Sequence, residues 1–256
     1  MSGRFCLTAS PGQVARHFAL VGVEPFPPRY NIAPTQPILL IEDAGEWRRL
    51  GSNQPDRHAS LARWGLIPSW VKDVSAFPLI VSARSEGISE KASYRGALRH
   101  RRVLIPATGF YEWQRRGKGK PQPFLIRPKN GGLLALAGLK ETYLSPDGSE
   151  IDTVCLISTE AGGPVAEVDA RMPLIIEEKH FARWLDCRNI EPSGISSLLT
   201  CPGGLGLEAI AISEKVNKVS NTGPELHDPY NLSQSIVQPP TKPPKKTAPS
   251  PQLKLF

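Results

Sequence analysis

A chain of 256 residues holds one large domain or two small ones, and its 40% hydrophobic and 21% charged content is that of a soluble globular protein. No apolar run approaches the roughly 20 residues of a membrane span, and the N-terminus lacks a basic-then-apolar secretory layout, which predicts a cytoplasmic protein. The net charge is +7, but Lys242, Lys245, Lys246 and Lys254 concentrate much of it near the C-terminus, leaving only a modest hint of nucleic acid.

In chain order, Ser10-Pro11 is an N-cap followed by proline at the first helical position, opening a helix to about Leu20. A proline-rich loop follows (EPFPPRYNIAPTQP), then strands QPILLIED and EWRRL, separated by Ala44-Gly45. HASLARWGLIP, FPLIVSA, RRVLIPA, PFLIRP, LLALAGL, DTVCLIS, PLIIE and LEAIAIS read as further short strands, and ISEKASYRGALRH, EEKHFARWLD and PSGISSLLT as helices. Many short strands with few helices predict an α+β fold, a curved and mainly antiparallel sheet or open barrel, over residues 1–229. Residues 230–256 turn proline- and lysine-rich (QPPTKPPKKTAPSP), which predicts a disordered tether ending abruptly in the apolar QLKLF.

Cys6, Cys155, Cys187 and Cys201 form no C-x-x-C pair and have no histidine at zinc spacing, so they read as thiols in a reducing compartment. With no glycine-rich phosphate loop either, neither metal nor cofactor is expected. At the start, MSGRF has a small second residue that allows Met1 to be removed, leaving Ser2 with a free α-amine that titrates at about 7.7–8.0. Five stretches hold polar residues that core packing does not demand: SGRF, RYNIAPTQ, ARWGLIPSW, PATGFYEW and DARMP. Asn31, Glu112 and Asp169 offer hydrogen-bonding and acid/base groups. Arg4, Arg84, Arg95 and Arg171 suit phosphates, and Trp64 and Trp70 suit stacking on bases. Taken singly, Glu112 also reads as an ion-paired carboxylate and Trp64 as core.

Together with SARSE at 82–86, STEA at 158–161 and ISEKVNKVSNTGPEL at 212–226, these motifs resemble, in order from Gly3 to about Pro229, the SOS response associated peptidase family, the abasic-site-processing proteins. The resemblance implies binding of single-stranded or junction DNA at abasic sites in the DNA-damage response. It also implies a covalent adduct with the ring-opened sugar and, in some contexts, self-cleavage. In that family an N-terminal cysteine attacks: its amine forms an imine and its thiol closes a stable thiazolidine. Arg4 then matches a DNA-contacting arginine, Asn31 a residue orienting nucleophile and sugar, and Glu112 the proton-moving glutamate. Trp64, Arg84 and Arg95 fall where that family grips and bends the nucleic acid, and Arg171 in RMP is likewise kept; Trp70 and Ser82 are also expected on the DNA side.

Three positions depart: Ser2 stands in place of the cysteine, Ser82 in place of asparagine, and Asp169 in place of histidine. Three departures favour a diverged paralogue over one engineered change. A hydroxyl closes only a readily reopened oxazolidine, so cross-linking is expected to be impaired while the Ser2 amine keeps imine and lyase chemistry open. Asp169 is expected to pair with Arg171 or to hold the Ser2 ammonium. The rival readings are a non-catalytic single-stranded DNA shield and an N-terminal-serine hydrolase. QLKLF resembles the motif by which bacterial proteins dock on the DNA sliding clamp, through Gln252, Leu253, Leu255 and Phe256. A monomer, associated with the nucleoid, is expected.

Overall fold

A computed structural model describes residues 3–45, 56–115, 117, 119–202 and 205–230. Ser2, the strand expected at 46–50, and the tail with Gln252, Leu253, Leu255 and Phe256 lie outside the described residues. The fold is α+β, with two sheets sharing one apolar core.

The smaller sheet runs β12 (Leu207–Ala211), β8 (Gln122–Pro128), β7 (Gly109–Gln114), β1 (Phe5–Leu7), β2 (Arg29–Ile32), every neighbouring pair antiparallel. Alternation sorts its residues between two faces. Phe5, Phe110, Phe124 and Ile126 enter the main core, while Cys6, Tyr111 and Leu125 form a second cluster with Val216 and Leu226.

The larger sheet returns on itself. β3 (Pro37–Asp43) pairs with β4 (Arg57–Trp64) and with β6 (Arg102–Ala107), and β6 pairs with β9 (Leu134–Leu144). β10 (Glu150–Glu160) then pairs antiparallel with β9 and parallel with β4, closing a five-stranded ring. Farther along β10, β5 (Ser82–Arg84) takes over the β4 edge and β11 (Arg171–Pro173) the β9 edge. Ile38, Leu40, Ala62, Trp64 and Val154 are buried on the strand faces that carry Glu42, Ser60 and Asp152 farther along. There Lys140 Nζ reaches Glu42 (3.1 Å) and Asp152 (3.0 Å), so opposite charges meet at one mouth of an apolar ring.

The expected helix near Ser10 is α1 (Pro11–Phe18), closed by a reciprocal capping box: Ser10 Oγ accepts from the Gln13 amide (3.3 Å) and Gln13 Oε1 from the Ser10 amide (2.8 Å). Three expectations need correction. The proline-rich stretch contains strand β2, because Arg29–Ile32 has β1 beside it to bond. The strand at PLIIE is instead Arg171–Pro173. Leu174 and Ile176 leave it to bond alternately to Ile157 of β10 and Ala135 of β9, filling the space where those strands part. PSGISSLLT forms a 3₁₀ turn at Pro192–Leu198, in keeping with its serines and glycine. ISEKASYRGALRH shortens to α2 (Ala92–His100), and EEKHFARWLD to a 3₁₀ turn followed by α3 (Phe181–Leu185). Both are joined to β6 by Arg102. This buried guanidinium donates to carbonyls of Leu98 (2.8 Å), Trp184 (2.6 Å), Asp186 (2.7 Å) and Ile190 (3.0 Å).

Candidate active site

The chain enters the smaller sheet through a narrow place. At Gly3 a Cβ would lie 3.1 Å from Pro34 Cγ and 3.9 Å from Trp64 Cη2, so a side chain fits there only if Pro34 gives way. Pro34 is itself held by its neighbour. Thr35 sits at φ +73°, a left-handed conformation costly for a β-branched residue, and its amide donates to the Trp64 carbonyl (2.7 Å). Trp64 is fully buried, edge-on to Phe5, and its indole N–H donates to Val81 O (2.9 Å). This corrects the expectation that Trp64 stacks on a base: its ring is core, and it links the entry of β1 to the strand beginning at Ser82.

Arg4 and Asn31 turn inward as a pair. Arg4 donates to Asn31 Oδ1 (2.8 Å), Val216 O (2.8 Å) and Asn217 O (3.3 Å). The Asn31 amide nitrogen donates to the carbonyls of Val216 (3.2 Å), Lys218 (3.2 Å) and Asn221 (3.0 Å). Two side chains near the N-terminus thus shape the 216–221 loop by its backbone alone. The Trp113 indole N–H adds a bond to Asn217 Oδ1 (2.6 Å). Every acceptor of Arg4 is neutral. Burial pulls its pKa down, yet a guanidinium keeps its charge.

Glu112 lies on β7, next to β1. Phe5 faces Phe110 and Cys6 faces Gly109, and the Tyr111 amide donates to Arg4 O (3.1 Å), so the same register sets Gly3 across from Glu112. Glu112 is 1% exposed, on the face of β7 that carries Phe110 into the core. On the other face, Tyr111 donates its hydroxyl to Tyr30 O (2.5 Å) and meets His227 Nε2 (2.9 Å). The phenolic proton being spent on Tyr30, neutral His227 donates from Nε2. Burial and, secondarily, the Arg127 charge push His227 down to about 4. Burial also holds the Cys6 thiol up at about 11, so it stays protonated among Thr108 and Tyr111.

Ser82, Arg84, Asp169 and Arg171 collect at the far end of β10, while Arg95 lies on α2 and Trp70 in a loop apart from them. Asp169 Oδ1 accepts the backbone N–H of Arg171 (2.7 Å) rather than its guanidinium. The fork of Arg171 goes to Glu86 instead, Nη1 to Oε1 at 2.7 Å and Nη2 to Oε2 at 3.0 Å, with Nη2 also donating to Ser158 O (2.7 Å) and Oγ (3.1 Å). Ser82 is half-buried on β5, and Arg84 and Arg95 are exposed, their side chains making no hydrogen bond or ion pair among the described residues. Trp70 is 57% exposed in the loop between β4 and β5, edge-on to Phe77. Sequence reasoning passed over Glu86, Thr35 and the acceptor carbonyls of 216–221. The polar run VNKVSN was a visible signal for the loop, but carbonyl acceptors belong to any residue type.

Compared with known proteins, residues 1–219 match the SOS response associated peptidase (SRAP) family. The chain belongs to the SRAP family. That match includes Arg4, Asn31, Glu112, Asp169 and Arg171, and stops just short of Asn221. Similar SRAP relatives are abasic site processing protein YoqW of Bacillus subtilis, 35% identical over 229 residues (88% of this chain, 98% of the relative), and abasic site processing protein HMCES of Gallus gallus, 30% identical over 230 residues (80% and 67%). A crystal structure of a Bacteroides thetaiotaomicron protein shares the fold with a TM-score of 0.75 at 22% identity, covering 89% of this chain and 99% of that one.

Proposed function

We propose that this SRAP protein acts in the DNA-damage response, binding single-stranded or junction DNA at abasic sites through its N-terminal residue, with stable thiazolidine cross-linking impaired. Family membership and relatives named for abasic-site processing support the substrate class. The observation that carries the reading is the narrow entry at Gly3, pinned by Pro34 and Trp64, opposite buried Glu112 and beside the Arg4–Asn31 pair. We take such a frame to direct the approach of the first residue.

The Ser2 α-nitrogen attacks the aldehyde carbon of the ring-opened sugar. A C–N bond forms, the oxygen leaves as water, and Glu112 is the group we assign to proton transfer. Without a thiol the imine hydrolyses back, or loses a C2′ proton and expels the 3′ phosphate, nicking the strand. The QLKLF tail is proposed to bring the domain to the sliding clamp. At about 3.1 Å per extended residue, a tether of some 20 residues reaches on the order of 60 Å.

Incubation with an abasic oligonucleotide tests the chemistry. A covalent species is expected only with borohydride, which reduces the imine to an amine. A heat-stable adduct without borohydride rejects impaired cross-linking. Binding without any trapped species replaces the lyase with a non-catalytic shield. For the tail, deleting residues 252–256 should abolish clamp capture in a pull-down.

A further inference from the structure

We propose that Glu86 is a built-in competitor for the DNA backbone: its carboxylate occupies the phosphate-binding edge of Arg171, and a strand must displace it to bind. The inference rests on the DNA-binding reading above and adds a residue that sets its specificity.

The geometry has two parts. Arg171 presents a planar fork whose orientation is fixed from behind, because Nη2 also bonds Ser158 O and Oγ on β10, and Asp169 holds the Arg171 backbone N–H. A guanidinium so held is arranged for a bidentate oxyanion, and Glu86 fills that place with two bonds of 2.7 and 3.0 Å. The Glu86 side chain is 56% exposed while that of Arg171 is 20% exposed. The arginine is therefore built in and the carboxylate is removable. The bonds to Arg171, aided by the Arg84 charge, hold Glu86 below the usual carboxylate range, so it is charged whenever the protein meets DNA.

A carboxylate and a phosphodiester each offer two oxygens and one negative charge. An incoming phosphate thus exchanges with Glu86 and gains little net energy. Undamaged strands, which offer only such contacts, are held weakly. A strand with an abasic site adds the bond to the N-terminal amine and prevails. Arg4, whose partners are neutral, imposes no such exchange.

Fluorescence anisotropy of a labelled undamaged single strand tests this with the full-length protein. Glu86→Gln is expected to tighten binding about three- to tenfold and to steepen the slope of log K against log salt by up to about 0.7, the share of one additional phosphate contact on a single strand. Glu86→Asp, which keeps the charge but loses the bidentate reach, should fall between. In an Arg171→Gln background, Glu86→Gln should gain at most a small part of that. An unchanged or weaker affinity for Glu86→Gln, with an unchanged salt slope, overturns the proposal and leaves Glu86 as a strut that orients Arg171. If no form of the protein binds DNA, the functional reading fails. The competition is then read from inorganic phosphate titrated against the Arg171 Nε–H NMR signal. A response at several-fold lower phosphate in Glu86→Gln supports it, and equal responses reject it.

Discussion

Arg4 and Arg171 carry the same sequence signal, an arginine inside a family motif, and the structure treats them oppositely. Arg4 gives its hydrogens to Asn31 and to two backbone carbonyls, none charged, so its positive charge persists. Arg171 gives its fork to Glu86 and is locally neutralised. One arginine organises a loop and keeps its field. The other has an ion-pair partner that can be exchanged. An arginine's place in a motif therefore says little about its electrostatic availability until its acceptors are known.

The largest effect that sharpens this contrast is at Asn31. Asn31→Ala removes one of the acceptors of Arg4 and three bonds to carbonyls of the 216–221 loop, of which Val216 O keeps Arg4 and Lys218 O keeps the Asn221 amide, and should cost about 3 kcal/mol in urea unfolding. Arg171→Ala, breaking a partly exposed pair and the bonds to Ser158, should cost less, about 1–2 kcal/mol. Equal losses would erase the distinction.

Acid should act next, and on the Arg4 side of the molecule first. His227 is held neutral by burial, so the fold has its full His227 contribution above the unfolded value near 6.5 and loses it progressively as pH falls toward about 4. That amounts to no more than about 3 kcal/mol, at 1.36 kcal/mol per unit. His227→Gln should flatten the urea midpoint across that window. Glu86 is lowered by its bonds to Arg171, so its contribution is present above the ordinary carboxylate value and is lost only as pH falls below it.

Salt separates the arginines more finely. In 1 M NaCl the stability difference between wild type and Arg171→Gln should shrink to the part that its bonds to Ser158 supply, because the partly exposed ion pair is screened and those bonds are not. The deficit of Arg4→Gln, about 2 kcal/mol from lost bonds to neutral groups, should remain.

The smallest effect is at Thr35, which touches neither arginine. Thr35→Gly relieves the left-handed strain but adds unfolded-chain freedom, for a net gain of about 0.5 kcal/mol. The borohydride-trapped yield should nevertheless fall as Pro34 loosens against Gly3. An unchanged yield would show that the entry does not need that wall.

What the sequence disclosed follows from how local each cause is. Ser10, Pro11 and Gln13 determine the start of α1 within four residues, and that helix was legible. The short apolar runs of β3, β8 and β12 were equally plain. β2 was hidden because its reason to be a strand is β1, distant in sequence, while its own neighbourhood is proline-rich. PLIIE misled because a buried apolar run looks the same whether it lies in a strand or fills the gap between two strands. In the site, Asn31, Glu112 and Asp169 stood out by residue type. Their partners did not: backbone carbonyls have no sequence signature, and Glu86 finds Arg171 only because β5 and β11 flank the same strand. Trp64 was ambiguous for a related reason, since a tryptophan in a polar motif can serve either its face or its core.

The bonds that tie Arg4 to the 216–221 loop span 212 residues of sequence. A ribosome adding about 5–20 residues per second needs roughly 10–40 s to cover that distance. During all of that time the first residues exist, but the frame that aims them does not. The α-amine of a nascent chain is then an ordinary amine with nothing to direct it. On the proposed function, the competence to engage a damaged strand arrives late in synthesis, as the loop meets Arg4 and Asn31. A truncated product ending before Val216 keeps the N-terminal residues without the loop that Arg4 and Asn31 hold.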